Sequence, residues 1–73
     1  MSAFPQELRD LAIQAETAQR EFEAASRVLD AADPSNRADE YIARMIACRR
    51  STEADEVFRK ALKAYMESQR AAA

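Results

Sequence analysis

The sequence predicts an all-α fold: an antiparallel hairpin of two long helices that dimerises into a four-helix bundle. Three observations carry that expectation. From Phe4 onward, apolar residues recur at helical spacing without a miss. The composition is helix-forming, with 17 alanines, no glycine and only two prolines. One turn signal, Asp33-Pro34-Ser35-Asn36, divides the 73 residues in two. The whole chain, 1–73, is read as a single helical-hairpin domain, with helix 1 over about 5–31, a turn over 32–36 and helix 2 over about 36–69.

Helix 1 follows from its seam. Phe4, Leu8, Leu11, Ala15, Ala18, Phe22, Ala25, Leu29 and Ala32 alternate steps of four and three, a heptad pattern held over four repeats. Pro5 suits a first helical turn, where its missing N–H costs nothing. At the turn, either Asp33 caps with Pro34 at the first helical position, or Asn36 caps with Asp39 as its partner. Both choices leave a short connection, so the helices lie antiparallel as neighbours. Folding there makes facing residue numbers sum to about 69, which places Phe4 on Tyr65 and Leu11 on Phe58. Ala15 and Ala18 then meet Ala54 and Ser51, so small faces small in the middle and the backbones approach closely.

Helix 2 is the anomaly. In its distal half Ala54, Phe58, Ala61, Leu62 and Tyr65 share one stripe at about 100° per residue. In its proximal half Tyr41, Ile42, Met45 and Ile46 form another, on nearly the opposite side. One hairpin seam cannot bury both. Either the helix kinks or breaks near residues 50–52, where Ser51 followed by Glu53 resembles a fresh N-cap, or it continues and the second stripe packs against another chain. A reversal without glycine or proline is uncommon, because helix ends favour a left-handed residue. A continuous helix is therefore the expectation, and the stripe Tyr41, Ile42, Met45 and Ile46 is assigned to a dimer interface. The Ala-rich C-terminal end is expected to fray.

Composition narrows the function. There is no histidine, which removes the commonest general base and metal ligand. Without glycine, phosphate-cradling loops lack the backbone freedom they need. Cys48 stands alone, so it makes no disulfide within the chain and no zinc set; it reads as a small buried or half-buried apolar residue in a reducing, cytoplasmic compartment, the alternative being a reactive thiol beside Arg49 and Arg50 that has no histidine for a base. The start, MSAFPQELRD, lacks a basic segment and an apolar core, so no signal peptide is expected. The longest apolar run, Met45 to Cys48, is one helical turn and spans no membrane. No catalytic residue, cofactor or metal is expected, and the chain is not read as an enzyme.

What remains is a binding module. Chains this short bury only roughly 60% of the surface their unfolded form exposes, so self-association is the simplest remedy. Nine arginines against two lysines, with abundant alanine, fit a GC-rich bacterial or bacteriophage genome. The expected function is stoichiometric regulation or inhibition of a target protein. Ile13, Tyr41, Met45, Arg49 and Arg50 are the candidate contacts, since most lie away from the seam and arginine and tyrosine suit interfaces.

In overall shape the expected dimer resembles the hairpin bundles of the Rop family of plasmid copy-number regulators, which bind RNA. That resemblance implies an alternative in which Arg20, Arg27, Arg37, Arg44, Arg49 and Arg50 form a basic patch. Residues 20 to 50 also hold Glu21, Glu23, Asp30, Asp33, Asp39 and Glu40, which balance those charges. A second alternative is a co-chaperone or assembly subunit of a larger helical complex.

Overall fold

The computed structural model describes residues 4–72. Among them stand two helices and no strand: α1, Gln6–Asp30, and α2, Arg37–Ala72, packed as an antiparallel hairpin with extents of 58 × 22 × 14 Å.

Pro5 is the residue before the helix rather than its first member. Its φ of −58° and ψ of 149° are extended, and its carbonyl accepts the amide of Arg9 at 3.1 Å, opening α1. At the other end the amides of Ala31 and Ala32 bond the carbonyls of Arg27 and Leu29 at 3.2 and 3.1 Å. Arg37 reaches back from α2 and donates its Nη1 to the Leu29 carbonyl at 3.4 Å, placing a cation where the helix dipole is negative. The link is a tight turn in which Asn36 N–H bonds the Asp33 carbonyl at 3.0 Å, with Pro34 at the position that suits its fixed φ. The Asn36 carbonyl takes the amide of Glu40 at 3.0 Å, so Asn36, not Asp33, leads into α2.

Three cross-helix contacts set the register. Phe4 and Tyr65 meet at the open end, with ring centroids 5.5 Å apart and planes tilted by 55°. Ser51 Oγ donates to Gln19 Oε1 at 3.0 Å in the middle. Arg44 Nε donates to Ser26 Oγ at 3.1 Å nearer the turn. All three pair residues whose numbers sum to 69 or 70, the alignment expected from a reversal at Pro34. From Leu8 through α1 to Ala32 just beyond it, the expected heptad positions are covered, joined by Ala12 and Ser26 along one flank, whereas Phe4, the first of the series, is 52% exposed.

α2 passes through residues 50–52 without a break. Thr52 Oγ1 donates to the Cys48 carbonyl at 3.0 Å, a bond made from inside a helix, and Ser51 is buried against α1 instead of capping a new one. The described helix extends to Ala72, three residues past the expected end near 69, through alanines, the strongest helix formers. At the observed register its last turns extend past the start of α1.

The covered side of α2 reads Glu40, Arg44, Ala47, Ser51, Ala54, Phe58, Ala61 and Tyr65, again alternating four and three. It is lined by large side chains at one end only. Among the described residues only Leu8, Leu29 and Ser51 are buried, at 7%, 6% and 8% exposure. A serine reaches that depth because Ala15, Ala18 and Ala54 around it leave little between the backbones. Among the described residues no helix is long and apolar enough to cross a membrane.

Two tests follow from this packing. A Leu11→Cys, Phe58→Cys variant, with Cys48→Ser, should form a disulfide within one chain under mild oxidation; failure to cross-link would reject the register. Ser51→Leu should destabilise urea unfolding by about 1–3 kcal/mol through overpacking of the alanine waist, whereas Ser51→Ala, which loses one hydrogen bond, should cost no more than about 1.5 kcal/mol. A leucine variant as stable as the parent would mean the helices are not in close approach there.

Candidate functional site

The turn-proximal half of α2 is built inside out. Toward α1 it presents Glu40, Arg44, Ala47 and Cys48, all of them charged or small. Arg44 takes a core position by stacking its guanidinium over the Phe22 ring, 5.5 Å from the centroid, while its Nε bonds Ser26. Away from α1 the same turns present Tyr41, Ile42, Met45 and Ile46, each 50–56% exposed. Burying those four and exposing the arginine would be the ordinary choice for a lone hairpin. The opposite arrangement leaves the bulkiest apolar side chains of this segment half in solvent, where covering the exposed half of each is worth about 1 kcal/mol to whatever covers it.

The cause lies in the distal half. Phe58, Ala61 and Tyr65 must face α1, and an unbroken helix carries that orientation back at a fixed angle per residue. Near the turn, the edge thereby aimed at α1 is Glu40 and Arg44.

The expected contact residues divide by location. Tyr41 and Met45 stand together with Ile42 and Ile46 on the outward side of α2. Arg49 continues that side one turn on, with its side chain 83% exposed and its Nε on Glu53 at 3.1 Å. Arg50 is exposed on a flank of the same helix. Ile13 is 60% exposed but sits on α1, pointing away from α2, so it does not join the cluster. Val28, also exposed, lies near the turn end; among Ala24, Ala25, Ala31 and Ala32, a lone valine off the seam gives no pattern to find.

Most arginines of the possible basic patch have partners inside the chain. Arg20 pairs with Glu16, Arg49 with Glu53, Arg44 with Ser26 and Phe22, and Arg37 with the Leu29 carbonyl. At the open end a shallow apolar groove of about 180 Å³ is lined by Phe4, Leu8, Arg9, Ala12, Phe58 and Leu62. Cys48 is a half-buried free thiol on the flank of the seam.

Comparison with known proteins finds no family model, no curated protein and no solved structure that matches this chain.

Proposed function

We propose that this chain is a small non-enzymatic binding module, a bacterial or bacteriophage regulator or inhibitor that acts in the cytoplasm as a homodimeric hairpin by stoichiometric contact with a target protein. The observation that carries this reading is the inverted half of α2, where Tyr41, Ile42, Met45 and Ile46 face outward while Arg44 fills the seam. Such a face is all that helix-mediated recognition of a protein needs. The absence of histidine and glycine from the sequence supports a role in binding rather than in catalysis or phosphate capture.

The self-associating stripe and the target contacts overlap only in part. Ile13, on the far side of α1, and Arg50, on a flank of α2, lie outside the stripe and serve the target alone.

The immobilised chain, exposed to lysate of its source cells, should retain one protein in near-stoichiometric amount. Ile13→Glu together with Arg50→Glu should lower that recovery at least tenfold while leaving the solution mass unchanged. Retention of RNA in place of a protein, or of nothing at stoichiometric level, would contradict the reading.

A further inference from the structure

We infer that the outward ridge of α2 seats a second copy of this chain in antiparallel register, with Ile42 against the partner's Ile46 and Asp39 against the partner's Arg49. The inference rests on the homodimeric reading above and supplies its geometry.

The first support is area. The chain exposes 5901 Å², whereas a compact monomer of 8.2 kDa exposes about 4,500 Å². The excess, on the order of 1,400 Å², is surface that a compact chain of this size would cover, and the exposed outward ridge of α2 supplies its apolar part near the turn. An isolated hairpin with three buried residues lacks a core of its own, and a second copy is the partner always present at matching concentration.

The second support is the order of residues along the ridge. Asp39, Ile42, Ile46 and Arg49 are spaced three, four and three, so they line one side of the helix. That series is a palindrome in spacing and in chemistry, with isoleucines inside and opposite charges at the two ends. An isologous contact requires this: a two-fold axis at the level of residue 44 sends each ridge residue onto its complement. Each Asp39 then lies over an arginine, and each isoleucine over an isoleucine. A parallel copy would set aspartate on aspartate and arginine on arginine. A foreign helix would impose no such symmetry. Tyr41 and Met45 flank the ridge on one side and widen the apolar contact.

The contact has natural limits. Beyond Arg49 the same side carries Glu53 and Glu56, both exposed, with Val57 as a lone apolar residue beside them, so the continuous apolar ridge ends there. The overlap therefore joins the turn-proximal halves, and the Phe4–Tyr65 ends point away from each other. Arg49 is held only by an exposed pair with Glu53, a weak bond that exchanges readily for a partner's carboxylate.

Charge reversal tests this. In sedimentation equilibrium the parent chain should dimerise, and Asp39→Arg and Arg49→Asp should each raise the dimer Kd by about tenfold. The double variant Asp39→Arg, Arg49→Asp should return to within about threefold of the parent. Helical circular dichroism measured alongside checks that exposed substitutions leave the hairpin folded. A dimer indifferent to the single reversals, or one that the double variant fails to restore, would overturn this register while leaving self-association standing. A monomer at every concentration would overturn the inference and the homodimeric reading together; target binding would then stand or fall on the capture experiment alone.

Discussion

Ser51 and Thr52 hold the point on which the rest of the molecule turns. One hydroxyl crosses to Gln19 of α1, the other returns to the carbonyl of Cys48 within the helix, and α2 crosses its midpoint as one rod of 36 residues, with no glycine or proline to stop it. A break there would have freed the turn-proximal segment to rotate and bury Ile42 and Ile46 against α1. Because the rod is unbroken, the aromatic anchors at the open end dictate which edge faces α1 all the way back to the turn. The inverted half of α2 is a consequence of helix continuity, and the exposed stripe is a consequence of the inversion.

The energetics of the hairpin fit a subunit better than a self-sufficient fold. Its interior is an alanine waist with a leucine toward either end, and its exposed ion pairs, Glu16–Arg20, Glu53–Arg49 and Asp55–Arg59, run along single helices. Pairs of that kind add a few tenths of a kcal/mol each to helix formation and nothing to tertiary specificity. Specificity of register comes instead from Ser51 with Gln19, from Arg44 with Ser26 and Phe22, and from Phe4 with Tyr65. The aromatic pair contributes about 0.5–1.5 kcal/mol beyond its area. These contacts align two helices but leave most apolar surface uncovered.

The seam of α1 was legible because nearly every position carries an apolar residue at steps of four and three. Register was legible as well, since a single Pro34 turn in a glycine-free chain allows one reversal point. On α2 the distal seam could be read, but the proximal seam could not. Its positions are Glu40, Arg44, Ala47 and Ser51, and hydrophobic periodicity says nothing of an arginine that packs by stacking on Phe22 or a serine that packs by bonding Gln19. The stripe itself stood out as apolar residues on the wrong side. That Ile13 lies apart from the stripe was beyond reach, because a sequence shows that a residue leaves its own seam but not which face of the hairpin it then occupies.

Hydrogen exchange at two protein concentrations addresses the inverted half of α2 most directly. Amides of residues 38–50 should gain protection as concentration rises from the micromolar to the millimolar range, while those of residues 66–72, past the start of α1, should exchange at an unchanged rate. Protection that is independent of concentration along all of α2 would contradict an interface between copies at the turn-proximal stripe.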